Sequence, residues 1–500
     1  TTGMPGDCTP GDTQPCYGGP PGTEGIGLCA AGEQLCTPQG EWAPCLGEVL
    51  PAAESCVTPG DENCDGVDAC GGTGTYQWDH AFGSSSRENG LRVAFDGAGN
   101  IVLAAHSKGD VDLGGGLLAG AGSYDLLLAR FAPDGAHLWS KRFGDAANQF
   151  DDGYALDVAA TGEIVLSGDF EGKIDFGGGP LDAQSSGDLF LVKLAADGTH
   201  VWSKVFHAPN GYAVPGAVTR DDTGSILLGG YFVSGLDLGG GMLTSAGLAD
   251  AFVGKFDPDG KHLWSQRFGD PQGQYVQGLA TDLAGNVFMT GGFQGTTNFG
   301  NGPLVSAGDA DIFLARLDPK GTAVWSKRFG NAQLQTGRDL AIDAAGRLVI
   351  TGELQGTVDL GGGPVTAMST AGYVAQFDSA GAHQWSRLVG DGKILSRAVA
   401  YDGLGQVLLT GNFNDTVDFG GGPLISEGGG DIFALKLDGA GEHVWSKRFG
   451  DFQIQTGTDI AGSATGIVAL TGQFVSGLNF GGGPKTSKGD YDIFLVVFGP

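Results

Sequence analysis

Seven tryptophans punctuate this chain at a nearly fixed interval, and no other feature limits its fold so tightly. Trp78, Trp139, Trp202, Trp264, Trp325, Trp385 and Trp445 lie 61, 63, 62, 61, 60 and 60 residues apart, with only Trp42 outside the series. The flanking text repeats as well, in His137-Leu-Trp-Ser-Lys-Arg-Phe-Gly144, His262-Leu-Trp-Ser-Gln-Arg-Phe-Gly269 and His443-Val-Trp-Ser-Lys-Arg-Phe-Gly450. A fixed period of this size means a solenoid, a propeller or an array. One unit reads Tyr154-Ala-Leu-Asp-Val, Glu163-Ile-Val-Leu-Ser-Gly, Ile174-Asp-Phe-Gly-Gly-Gly179, Asp188-Leu-Phe-Leu-Val-Lys and Thr199-His-Val-Trp-Ser-Lys-Val-Phe206. These are β-rich runs divided by Gly and Asp turns, with no helical period. Four strands per unit in a closed ring predict an all-β fold, a β-propeller.

The two ends of the repeat predict how the ring closes. The strand Tyr76 to Phe82 has no earlier strands of its own unit, and the last unit stops at Asp492-Ile-Phe-Leu-Val-Val-Phe498 without its Trp strand. The N-terminal strand is therefore expected to complete the last blade, giving seven blades over residues 73–500. Residues 1–72 form a separate Cys-rich module.

Composition narrows the class. With 94 Gly and 21 Pro in 500 residues the chain lies near the range of disordered sequences, yet its glycines are periodic and 41% of its residues apolar, which rejects disorder. A net charge of −30 argues against nucleic acid and anionic membrane as partners and favours a soluble protein that attracts cations. No apolar run is long enough for membrane insertion. Residue 1 is Thr with no apolar leader before it, which suggests a processed chain, and the short stretch after the last strand leads us to expect no anchor or sorting tail. Retention at a surface is then expected to go through protein contacts.

Cys8, Cys16, Cys29, Cys36, Cys45, Cys56, Cys64 and Cys70 are all the cysteines, and all lie in the module. An even number in a short Gly/Pro/Thr-rich segment reads as a disulfide framework of up to four bridges, hence a secreted, extracellular or cell-surface location. Soft-metal binding is the alternative, disfavoured because no Cys-x-x-Cys occurs and no His precedes His80. The spacing leaves the pairing open. Asp61-Glu-Asn63-Cys-Asp65-Gly66-Val-Asp68 has the alternating oxygen ligands and turn glycine that open a calcium loop. Asp61, Asn63, Asp65 and Asp68 are the expected ligands of a structural calcium ion. The bidentate Glu of a full loop is missing, since Gly72 takes its place, and a charged Asx-rich turn is the alternative. Through Asp61 to Asp68 the segment resembles Cys-rich modules with a metal-binding motif in secreted bacterial proteins.

The units, with Asp282-Leu-Ala-Gly-Asn-Val-Phe-Met-Thr-Gly291 and Asp250-Ala-Phe-Val-Gly-Lys-Phe-Asp-Pro-Asp-Gly260, resemble the seven-bladed β-propeller repeat (SBBP) family over residues 75–500. That resemblance implies a fold and a secreted or surface location, and no reaction.

Strand order places the Ala-x-Asp run (Leu340-Ala-Ile-Asp343) innermost and the Trp strand outermost. Lys141, Arg142, Lys204, Arg267, Lys327, Arg328, Arg387, Lys447 and Arg448 are then expected to guard exposed outer edges against strand pairing. The N-terminal strand carries Asp79 and His80 there instead, leaving room for a partner strand. His137, His200, His262, His383 and His443 repeat two residues before Trp and read as packing residues, too far apart on separate strands to share a metal. Asp112, Asp175, Asp237, Asn298, Asp359, Asp418 and Asn479 precede Gly-rich turns, and Asp125, Asp188, Asp250, Asp311, Asp431 and Asp492 open the next strand, with Gly372 breaking the series. Turn capping explains them, with calcium on the b–c loops as the sharper alternative.

No Gly-x-Ser-x-Gly, His-Glu-x-x-His or P-loop pattern occurs. His106 and His207 fall outside the repeat. Asp157, Asp221, Asp222 and Asp282 lie near the inner strands, where turn residues of most units also carry Asp. The expected function is non-catalytic: adhesion or extracellular structural assembly with another extracellular protein or with itself, as a homo-oligomer or filament. Gly71-Gly-Thr-Gly74 could let the Tyr76–Phe82 strand close a neighbouring ring. Recognition of surface glycans is the alternative, with Tyr154, Tyr212 and Tyr275 as candidates; a secreted hydrolase ranks below both.

Overall fold

A computed structural model describes residues 8–26, 28–52, 64, 72–149, 153–390 and 392–500. Seven four-stranded antiparallel sheets form the ring, each ordered a-b-c-d from the axis outward. Blade 1 comprises Glu88–Phe95, Ile101–Ser107, Asp125–Phe131 and His137–Phe143. Blade 2 begins at Tyr154, blade 3 at Ala213, blade 4 at Gln274, blade 5 at Gln335, blade 6 at Ile394 and blade 7 at Gln455. Blade 7 takes its outermost strand from the other end of the chain, as the sequence predicts. Tyr76–Phe82 pairs antiparallel with Asp492–Phe498, from Tyr76 opposite Phe498 to Phe82 opposite Ile493. Strand a of blade 7 meets strand a of blade 1, so the ring is closed.

Strands b and c are buried on both faces, as the largely apolar runs Ile101–Ser107 and Asp125–Phe131 require. Their side chains pack between blades, so each cluster draws residues from two adjacent units. The Trp strand lies outermost, and its indole links to the following blade. Trp139 Nε1 donates to Ala196 O at 3.0 Å and Trp264 Nε1 to Pro319 O at 3.1 Å, each in the next c–d turn. Trp445 breaks this pattern: its Nε1 is buried without an acceptor among the described residues. The turn it faces is not continuous chain, because the two ends of the repeat meet there, with Gly74 N–H on Pro500 O at 3.0 Å and Gly499 N–H on Thr75 O at 2.7 Å.

The repeated acids and histidines are turn chemistry. Asp112 accepts from Gly114 and Gly116 N–H at 2.8 and 2.9 Å, and Asp175, Asp237, Asn298, Asp359, Asp418 and Asn479 do the same in their own units. The a–b and c–d turns are capped alike, for example by Asp282 and Asp318. Much of the acidity is thus spent on turn amides. The histidines pack under the Gly-rich turns, and His200, His262, His383 and His443 each meet a Ser hydroxyl at 3.0 Å. A Cβ added at Gly240 would lie 2.3 Å from the His262 ring. Gly240→Ala is therefore expected to cost about 1–3 kcal/mol by overpacking, read as a fall in the urea midpoint; an unchanged midpoint would show that the turn can shift freely.

The strand-opening acids and four outer-strand arginines form one device, which corrects the edge-guard expectation for those four; Arg387 instead pairs with the exposed Glu442. Arg142, Arg267, Arg328 and Arg448 turn inward and pair with the fully buried Asp125, Asp250, Asp311 and Asp431 of their own blades. Beside each acid sits a Gln of the next blade, Gln149, Gln274, Gln335 or Gln455, both close to one glycine. Elsewhere the set changes as a whole. In blade 2 the arginine position is Val205, and His207 replaces it, its Nδ1 lying 2.6 Å from Asp188. In blade 5 all members are apolar: Ala371, Leu388 and, from blade 6, Ile394. Register gives the acid's place there to Ala371 rather than Gly372, and the b–c connection becomes one long hairpin, Leu348–Asp359 with Pro364–Phe377. Only at the closing seam is the compensation missing. Near Asp492 the register gives the arginine's place to Ala81, opposite Phe494, and not to the expected Asp79 or His80, and the next blade supplies Glu88 in place of Gln.

In the module, Cys8–Cys36, Cys16–Cys45 and Cys29–Cys64 are disulfide-bonded around a short hairpin, Thr13–Cys16 with Gly32–Leu35. Cys56 and Cys70 lie outside the described residues. Three disulfides indicate an oxidising compartment. No helix among the described residues is long and apolar enough to cross a membrane.

Candidate binding site in the axial channel

The inner strand of most blades carries one extra residue. Register slips by one between Gly90 and Arg92, Pro215 and Ala217, Val276 and Gly278, Gly337 and Asp339, Ser396 and Ala398, and Gly457 and Asp459. A β-bulge leaves its extra residue unpaired and re-aims the side chain. Here the bulged residues are Leu91, Gly216, Gln277, Arg338, Arg397 and Thr458, and all of them line a cavity of about 470 Å³ on the ring axis. Its remaining wall includes Arg92, Val214, Pro215, Val276 and Tyr231. A narrower cavity of about 200 Å³ adjoins it and adds Asp339 and Asp459.

The wall is chemically two-sided. On blades 3 and 4 it is apolar or aromatic apart from Gln277. Gly216 has no room for a side chain, since a Cβ would lie 2.1 Å from Val276 O. Tyr231 stands beside it, edge-on to Tyr275 at 4.9 Å and to Tyr212 at 6.4 Å. On blades 5, 6 and 1 the wall is cationic. Arg338 pairs with Glu353 at 2.8 Å, and burial raises the Glu353 pKa against that pairing. Among the described residues Arg397 donates only to Asn412 Oδ1, at 3.3 Å; its pKa is lowered by burial and by the neighbouring Arg338 charge, against the opposing Glu353 charge. Arg92 donates to Leu91 O at 3.0 Å. Deeper in, Asp339 accepts Val399 N–H of blade 6 and Asp459 accepts Val93 N–H of blade 1, each at 2.8 Å, so both carboxylates tie adjacent blades together. Burial pushes Asp339 up to about 7 and Asp459 up to about 6; backbone N–H bonds oppose this at both, as does the Arg92 charge.

Ten of the thirteen arginines lie within ion-pair distance of a carboxylate. The others are Arg87, stacked on the Tyr491 ring, and the channel residues Arg92 and Arg397. Two guanidinium groups without an ion pair among the described residues therefore meet in one cavity of a strongly acidic protein. The arrangement can hold an anion.

The sequence reading did not single out these arginines. No signal in the text marks them: the bulged position reads Leu, Gly, Gln, Arg, Arg, Thr, and the residues on either side of it vary as much. The other candidates have structural places. Asp157 pairs with Arg220, Asp221 with Lys255, and Asp282 caps its turn near Arg316. His106 is fully buried against Asn89 and Tyr124, and burial lowers its pKa to about 3. Tyr154 is buried, with its hydroxyl on Gln149 O. Asp61, Asn63, Asp65 and Asp68 lie outside the described residues. Among the described residues no group of three or more His, Cys, Asp or Glu could hold a metal ion.

The beta-propeller repeat (SBBP) model matches residues 263–292, from strand d of blade 3 to strand b of blade 4. An uncharacterized WD repeat-containing protein of Acanthamoeba polyphaga mimivirus is 22% identical over 214 residues, covering 34% of this chain and 15% of that protein. The chain thus spans a small part of that relative's length. Among solved structures, a polysaccharide lyase (an ulvan lyase) aligns with 84% of this chain and 96% of its own at 12% identity, TM-score 0.43. A chain of the mitotic checkpoint complex aligns over 92% and 99% at 10% identity, TM-score 0.41. The propeller domain of the Trilobed protease from Pyrococcus furiosus aligns over 82% and 94% at 8% identity, TM-score 0.40.

Proposed function

We propose that this chain is a secreted, non-catalytic propeller that acts in structural assembly or adhesion through the rim of its disc. One observation carries this reading. The outer strands turn their arginines inward and present apolar side chains instead: Leu138, Val201, Leu263 and Val324 are 49%, 48%, 49% and 48% exposed at the same position of blades 1 to 4. Leu117, Met242, Val305 and Ile425 stand exposed on the neighbouring b–c hairpins. Recurrent exposed apolar residues mark contact surfaces, and an outermost strand also offers an unpaired edge. Changing Leu138, Val201, Leu263 and Val324 together to Lys is expected to convert assemblies to monomers in size exclusion with light scattering. A wild-type chain that stays monomeric at high concentration and leaves cells unbound would sink the reading. Calcium at the Asp61–Asp68 loop belongs to the same proposal as a stiffener of the module, and chelation is expected to loosen assemblies that depend on it.

Recognition of surface glycans is a second reading, favoured by Tyr231 on the channel wall, with Tyr212 and Tyr275 edge-on against it. Aromatic faces beside polar groups suit the mixed surface of a sugar ring.

A further inference from the structure

We infer that the axial channel is a binding site for an acidic saccharide, holding a carboxylate-bearing sugar with its charge between Arg397 and Arg92 and its ring toward Tyr231. The inference rests on the glycan reading above and adds the charge class and the place. Three observations converge. The bulges aim Arg338 and Arg397 at the axis, although unbulged register would send them elsewhere. Arg338 is engaged by Glu353, while Arg397 and Arg92 have no carboxylate within ion-pair distance among the described residues. Guanidinium forks match a carboxylate in shape and charge, and the acidity of the rest of the chain makes this the exceptional place to attract one.

The opposite wall sets the rest of the ligand. Gly216 keeps it free of side-chain bulk, and Tyr231 offers an aromatic surface held by its tyrosine neighbours. The cavity of about 470 Å³ is large enough for one sugar ring with its neighbours outside the mouth. Asp339 and Asp459 close the deeper part against a second anionic group. A single carboxylate at the mouth satisfies both halves of the wall; a polyanion inserted along the axis does not.

Calorimetric titration of the full chain with galacturonate and glucuronate oligomers, the matching neutral galactose and glucose oligomers, and inorganic sulfate tests this. The expected result is binding of a uronate oligomer at least 10-fold tighter than its neutral counterpart, weakened by salt. Arg397→Gln is expected to lose at least 10-fold and Arg397→Lys less, with melting temperatures unchanged because Arg397 faces the channel. Binding of neutral oligomers with no preference for uronates would overturn the inference and leave the glycan reading standing. Binding of none of the saccharides would overturn both. Sulfate binding as tightly as the uronates, or Arg397→Gln binding like wild type, would also overturn the inference.

Discussion

Phe82→Ala is expected to destabilise the chain by about 3–5 kcal/mol and, unlike an equivalent change inside a blade, to open the ring. Phe82 is 6% exposed and stacks on Phe131 of blade 1 at 5.7 Å while its strand pairs with Asp492–Phe498 of blade 7. Its strand is joined to blade 1 by residues 83–87 but to blade 7 by strand pairing and packing, so Phe82 helps to hold a joint that no nearby covalent link secures. Phe329 occupies the same strand position in blade 4, is 7% exposed and stacks on Phe377 at 5.5 Å. Phe329→Ala is expected to shift the urea midpoint by a similar amount with the ring intact, because its strand remains joined to its blade by a short turn. Limited proteolysis near residue 76 and light scattering at high concentration separate the two. Early cleavage and concentration-dependent dimers, from strand exchange, are expected for Phe82→Ala alone. Identical behaviour of the two variants would show that the seam is no weaker than the other blades.

The second large effect is on the pH dependence of the same seam. Asp492 is 2% exposed; burial is the main cause that pushes its carboxyl up to about 6, with the Glu88 charge adding to it and the Lys488 N–H opposing it. Glu88 is also fully buried, accepting from Ser84 N–H at 2.8 Å, Ser84 Oγ at 2.6 Å and Ser107 Oγ at 3.2 Å. Unfolded, Asp492 titrates near 3.8. Between that pH and about 6 the unfolded chain gives up its proton while the folded chain keeps it. Folding stability therefore falls as pH rises through this window. Asp339 and Asp459 act in the same direction, so the Asp492 share must be read as a difference from a variant. Asp492→Asn, which imitates the protonated acid, is expected to match wild type near pH 4 and to exceed it by about 1–3 kcal/mol at pH 8, the lower figure allowing for screening by water near the loop. Ala81→Arg, which restores the pair found in blades 1, 3, 4 and 6, is expected to flatten the same window. A wild-type minus variant difference that does not vary between pH 4 and 8 would refute the role of Asp492.

Much of this architecture is legible in the text of the chain, and particular residues show why. The Trp period fixes the unit, since the indole of every blade except Trp445 serves the same link to the next turn. The missing strands at the two ends fix the closure, because a blade of three strands and an orphan strand have one economical solution. Short Asx side chains before glycines announce the turns they cap. The disulfide pairing was not legible, since eight cysteines in one segment leave the partners to the path of the chain. Neither was the apolar exchange at Ala371, Leu388 and Ile394. Those residues are distant in sequence, and the series there had seemed to break at Gly372.

Sequence by itself determined the unit, its strand order, the number of blades and the strand that closes them, because each is a local pattern repeated until it cannot be accidental. The tertiary structure decided where side chains point. One inserted residue in an inner strand reverses the alternation of everything beside it, and counting along the chain cannot tell a bulge from a straight strand. That reversal places Arg338 and Arg397 in the channel. Outer-strand arginines turn inward for a related reason: a carboxylate one strand away, buried by the adjoining blade, holds each guanidinium more firmly than water does at the edge.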